Sequence, residues 1–167
     1  HDLLERKREL LTRLVYERVG EYRRLRAQAE GALAEAFRCL SLTHLRMGSR
    51  MLEQVCVGLP PVLSVHVLPR SSLGVEYPSV TTKELPLEPV SLLWTDMTFD
   101  QTRHRMMKLA EVLAKLGEAE TALRRLLAEQ RKTQKRVNAL RYNVIPRYRD
   151  TLRFIADALE EEERNTL

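Results

Sequence analysis

Six of the seven prolines fall between Pro60 and Pro89, leaving residues 1–57 with none and residues 98–167 with Pro146 alone. A proline inside a helix removes a backbone donor and its ring meets the preceding turn, so long helices are confined to the two flanks. On the first flank Leu4, Leu11, Val15, Val19, Tyr22, Ala29, Leu33, Ala36 and Leu40 trace one face in a seven-residue repeat that only Arg26 interrupts. This predicts a single amphipathic helix, continuous to about Val57. Gly20, Gly31 and Gly48 each cost about 1 kcal/mol relative to Ala there, but none is joined by a proline. On the second flank Thr98-Phe99-Asp100-Gln101 has the Ser/Thr-x-x-Glu/Gln form in which two side chains satisfy the first free amides of a helix. From there Leu109, Leu113, Leu116, Leu123, Leu127, Val137, Val144, Tyr148 and Ile155 carry a similar stripe towards Leu159.

About 60 residues of helix would extend roughly 90 to 100 Å, and a stripe of that length can be buried only against another helix. The aromatic share of 5% agrees, because three Phe and one Trp cannot fill a roomy globular core. The expected fold is all-α dominated: a long antiparallel two-helix coiled coil with a short β-hairpin and loop region between the helices. Its expected divisions are an N-terminal helix over 1–57, a hairpin and Pro-rich loop region over 58–97, and a C-terminal helix over 98–167. In the middle region β-branched residues alternate over Val62 to Leu68, and Gly74 to Tyr77 follows Pro69-Arg70-Ser71-Ser72, read as a turn between two short strands. The prolines at 78, 86 and 89 exclude a long central strand, and the run Val90 to Trp94 is expected to pack on the hairpin. Glu120, Gln130, Gln134 and Arg141 occupy stripe positions and are read as polar residues that fix register. Pro146 should bend the second helix or require support from a neighbour.

The chemistry-bearing residues are scattered. There is no GxxxxGK[ST] or GxGxxG, and His1, His44, His66 and His104 lack metal-ligand spacing. Glu160 to Glu163 form a run at a helix end that solvation explains. No catalytic, cofactor or metal site is expected. Cys39 and Cys56 are read as free thiols of a reducing cytosol. The longest nearly uncharged stretch, Leu52 to Arg70, holds Pro60, Pro61 and Pro69 and cannot be a spanning helix. Beginning at His1 and ending at Leu167 in mid-pattern, the chain is expected to continue at both ends. Charge is more informative: the net charge is +5, and Arg124 to Arg153 holds ten basic residues against Glu129 and Asp150. This collar is either an ordinary solvated face or a surface for an acidic partner.

The segment Lys132-Thr133-Gln134-Lys135-Arg136-Val137-Asn138-Ala139-Leu140-Arg141-Tyr142-Asn143-Val144-Ile145-Pro146-Arg147 closely resembles the most characteristic stretch of the D-subunit family of vacuolar-type and archaeal-type rotary ATPases. Thr151-Leu152-Arg153-Phe154-Ile155, the acidic Glu160 to Glu163 and the opening His1 to Leu11 are similar to the same family. Its structural motif falls here on Val137, Asn138, Ala139, Leu140, Val144, Ile145 and Pro146. Arg141 stands where the family usually has an acidic residue, and Asn143 where it has a more apolar one. The resemblance implies a non-catalytic central-stalk rotor. It implies as partners the A and B subunits of the catalytic ring, the F subunit, and the funnel-shaped C/d subunit on the membrane rotor ring. It further implies a cytoplasmic chain, peripheral to the membrane as part of the complex, without direct insertion and without nucleic acid. Lys132, Lys135, Arg136, Arg141 and Arg147 are the expected ring-facing residues. The same pattern of two helices around a hairpin also fits a prefoldin-like coiled-coil chaperone, which is kept as the alternative.

Overall fold

The computed structural model describes residues 2–90 and 96–165. In chain order these form α1 (Asp2–Met47), α2 (Ser49–Val57), β1 (Leu63–Ser72), β2 (Val75–Glu84), α3 (Met97–Ala139), a π-turn (Leu140–Val144) and α4 (Ile145–Asn165). The chain is mostly helical, with a small antiparallel sheet between its long helices, as the sequence pattern requires. It divides into two compact units, residues 16–125 and residues 1–15 with 126–167.

In the unit formed by residues 16–125 the later part of α1 packs on the earlier part of α3. The buried residues are small or sulfur-containing on α1 (Ala29, Ala36, Cys39) and mixed on α3 (Phe99, Met107, Leu109, Ala119, Ala122). Small side chains let two helix backbones approach closely, so little aromatic volume is needed. Buried among them, the Thr43 hydroxyl lies 2.7 Å from that of Thr102 and 2.9 Å from the Thr98 carbonyl. Exposed ion pairs flank this seam: Arg46 to Asp96 at 2.8 Å and Arg105 to Glu35 at 3.6 Å. In the other unit the first turns of α1 meet the last turns of α3. Leu11, Leu126, Thr133 and Val137 are buried there, Lys7 pairs with Glu129 at 3.0 Å, and the Gln130 amide donates to Thr12 at 3.5 Å. Within residues 16–125 the contacts run from Arg46–Asp96 through Thr43–Thr102 to Glu35–Arg105, so α1 and α3 pair antiparallel.

The helix expected to continue to Val57 is interrupted at Gly48, which has φ +78. That conformation costs a residue with a Cβ but not glycine. The start of α3 also differs from the expected box. Asp96 caps it, accepting the Met97 amide at 2.7 Å and the Thr98 hydroxyl at 3.3 Å. Thr98 instead offers its carbonyl to Thr43 and Thr102.

The hairpin is longer than the prolines suggested. β1 and β2 pair from Leu63↔Glu84 to Ser72↔Val75, and Pro69 faces Pro78. The turn is Leu73-Gly74, with φ 52 and 77, rather than Pro69 to Ser72. Two positive φ values match the right-handed twist of a two-residue hairpin. Because Ser72 and Val75 close that turn, the wide pairs alternate with narrow ones, and Pro69↔Pro78 falls where neither residue would donate across the ribbon. Both strands are edge strands, so neither proline breaks a rung. Residues 91–95, including most of the apolar run expected to pack on the hairpin, lie outside the described residues.

Candidate functional site

The hairpin is fixed to α3 by polar contacts along one border. Glu118 accepts the Val80 amide at 2.6 Å and Glu111 the Thr82 hydroxyl at 3.2 Å; Lys115 donates to the Val80 carbonyl and Lys108 pairs with Glu84. Near the turn Arg125 donates to the Glu76 carbonyl at 2.8 Å, and Arg18 of α1 stacks 5.4 Å from the Tyr77 ring. The same unit holds an apolar cavity of about 320 Å³ lined by Leu40, Leu52, Leu59, Phe99 and Met106. Among the described residues no group of three His, Cys, Asp or Glu could hold a metal ion, and no helix is long and apolar enough to cross a membrane.

The sequence-predicted basic residues lie on the end of α3, the π-turn and the start of α4. Lys132, Lys135, Arg136, Arg141 and Arg147 are all exposed, and none has an ion-pair partner among the described residues. Arg141 stacks at 5.8 Å on the Tyr142 ring, itself 67% exposed. Lys132 and Arg136 stand close enough to Glu129 to add to the effect of Lys7. The Lys7 hydrogen bond is the main reason that the Glu129 carboxyl lies below its ordinary range, and the two further cations act in the same direction. By contrast Arg124 is engaged with Glu120 at 2.8 Å and Arg125 with the hairpin. The collar therefore has two parts: Arg124 and Arg125 serve the fold, whereas from Lys132 onwards the cations project into solvent.

The motif residues divide similarly. Val137 is buried, Leu140 and Ile145 are partly buried, and Asn138, Ala139, Val144 and Pro146 are exposed. Asn138 accepts the Gln134 amide at 2.9 Å, so one of the polar stripe residues makes an intrahelical bond. Beyond Ile145 every described side chain of α4 is exposed, including Tyr148, Leu152, Ile155 and Leu159. A continuous basic and apolar surface on one helix can bind protein but offers no enclosure for chemistry. Sequence reasoning missed the π-turn immediately before Pro146; Pro146 itself was the available signal.

The family model described as the ATP synthase D subunit matches residues 1–167. The D subunit of a V-type ATP synthase of Thermotoga neapolitana is 33% identical over all of this chain and 83% of its own length. The D subunit of an A-type ATP synthase of Pyrococcus furiosus is 32% identical over 98% of this chain and 78% of its own. The D subunit of the V-type ATP synthase of Clostridioides difficile is also 32% identical, over 98% of this chain and 76% of its own.

Proposed function

This chain belongs to the D-subunit family of ATP synthases, and from that membership we propose how it works as the central-stalk rotor of a V/A-type ATPase or ATP synthase. The relatives compared are all named as D subunits, and the prefoldin-like alternative draws no support from them. In the proposed assembly the catalytic A and B subunits form the ring, the F subunit binds the side of the helix pair, and the hairpin end meets the funnel-shaped C/d subunit. The chain itself is non-catalytic, and its place is cytoplasmic and peripheral to the membrane.

The observation that carries this reading is the cationic group Lys132, Lys135, Arg136, Arg141 and Arg147, exposed on one continuous helical segment. Facing acidic loops of a ring, such a group would attract without interlocking, and long-range attraction is what a turning contact requires. An asymmetric helix pair meets three similar interfaces with different contacts. It thereby favours a different state at each one, and hydrolysis at one interface changes which orientation of the rotor has the lowest free energy.

The test is neutralisation of the five cations to Gln in a reconstituted complex, with coupled ATPase turnover and torque measured at several ionic strengths. Both should fall, and the salt dependence of assembly should weaken. Unchanged turnover and torque across the salt series would refute the assignment. Because Lys132 and Arg136 also act on Glu129, the unfolding midpoint of the isolated variant is measured alongside, so that lost coupling is separated from lost stability.

A further inference from the structure

The apolar stripe of the unit holding the C-terminus changes phase once. Leu126, Thr133 and Val137 are buried and Leu140 partly so, at successive steps of seven, four and three residues. Along α4, Ile145, Tyr148, Leu152, Ile155 and Leu159 continue at steps of three, four, three and four. The step that joins the two series, Leu140 to Ile145, is five residues, one more than the longest step in a seven-residue repeat. It coincides with the π-turn Leu140–Val144, where the Ile145 amide donates to the Leu140 carbonyl. Such a turn holds one residue more than an α-turn. Burial follows the same phase: Val144, four residues after Leu140, is 38% exposed, whereas Ile145 is partly buried.

We propose that the π-turn is a one-residue frame correction. It absorbs a surplus residue and so holds the apolar stripe of α4 in azimuthal line with the buried stripe of α3. In an unbroken α-helix the surplus residue would turn everything beyond it by about 100°. The stripe of α4 would then leave the line that Thr133, Val137 and Leu140 define. Pro146 biases the segment the same way. In a regular α-helix its ring would press on the Tyr142 carbonyl and leave that carbonyl without a donor, and the π-turn ends just before it. The face that α4 presents to any partner is therefore set by these few residues.

Spin labels on Asn138→Cys and Asp150→Cys test this in the full chain, with Cys39→Ala and Cys56→Ser removing the native thiols. With the frame correction the twelve intervening steps act as eleven, and the labels share a face about 17 Å apart. In an unbroken α-helix they would lie about 120° apart around the axis at about 21 Å, for labels carried about 6 Å from the axis. A second chain deletes Asn143 and carries Pro146→Ala, which removes the surplus residue together with the turn that absorbs it. Its distance should match the parent to within about 1 Å at undiminished helix content. A third chain inserts one Ala between Arg147 and Tyr148, and its distance should lengthen by about 4 Å. The proposal fails if the parent pair reads near 21 Å, or if the deletion shortens the distance by about 4 Å. It also fails if the insertion leaves the distance unchanged, since any turn would then absorb a surplus residue. The parent measurement decides by itself should the deletion variant not fold.

Discussion

The buried hydroxyl pair between α1 and α3 should contribute two hydrogen bonds, one lost with each hydroxyl, and a double-mutant cycle reads both directly. Thr43 is fully buried and Thr102 is 6% exposed. The Thr43 oxygen lies 3.0 Å from the Cys39 carbonyl, 2.9 Å from the Thr98 carbonyl and 2.7 Å from the Thr102 oxygen. Thr102 in turn lies 2.8 Å from the Thr98 carbonyl. Each hydroxyl has one proton to give, so one of them donates across the pair while the other donates to a carbonyl. Thr43→Val keeps the shape and removes one hydroxyl; Thr102 can still donate to Thr98, so no donor is orphaned. The expected loss is about 1 kcal/mol, the net worth of one neutral hydrogen bond. Thr102→Val should cost about the same, because Thr43 keeps two carbonyls within reach. The double variant removes both hydrogen bonds of the pair and should cost about 2 kcal/mol, so the two single losses add. Hydrogen exchange of the slowest amides of residues 16–125 reads this as about a fivefold increase in opening for each single variant and about thirtyfold for the double. If either single variant opens no more readily than the parent, the hydroxyl it removes makes no net bond and the account of this seam is wrong.

Leu126→Ala removes a fully buried side chain and should cost about 2 to 5 kcal/mol. Leu152→Ala, at a position 65% exposed, should change urea unfolding of the isolated chain by less than about 0.5 kcal/mol. Leu73 holds φ 52 in the hairpin turn, so Leu73→Asn should stabilise the chain by about 0.5 to 1 kcal/mol, read as a raised unfolding midpoint. Hydrogen bonds hold four carboxyls below their ordinary range: Glu129 with Lys7, Glu35 with Arg38, Glu84 with Lys108, and Asp96 with Arg46. Lowered values in the folded state mean that the unfolded chain takes up protons first as the pH falls. Their contribution is complete above the ordinary glutamate value of 4.5 and is lost below it. Unfolding midpoints should therefore be level from neutral pH to about 5 and fall below that, less steeply in high salt; a midpoint that rises on acidification would contradict these pairings.

Much of the architecture was legible because helix periodicity survives in the sequence wherever one face is buried. Leu11, Ala29, Ala36, Leu109 and Val137 were all placed on the buried stripe by spacing alone. The misreadings share a cause, the competition between local signals of equal strength. Gly20 and Gly31 lie inside α1 and Gly48 ends it, yet nothing near any of them distinguishes a tolerated glycine from one that needs positive φ. Pro69-Arg70-Ser71-Ser72 has turn composition, but the strands pair through it because Leu73-Gly74 closes a tighter turn that fits their twist. Val144 satisfied the seven-residue spacing better than Ile145. The π-turn reversed that order because helical phase is a property of the backbone path, which spacing assumes rather than reveals. The cations from Lys132 onwards were legible as charge, whereas the structural use of Arg125 depends on a hairpin carbonyl far away in sequence.

A ribbon of two strands has two outer margins, and each could in principle recruit another extended chain. Here Pro69 and Pro78 face one another at a pair whose amides would point outwards, so both margins lack a donor at mid-length. Two residues further along β2, the outward amide of Val80 is already taken by Glu118. An extended segment arriving at either side would therefore find an interrupted row of donors, and growth of the sheet by strand addition is disfavoured from both sides.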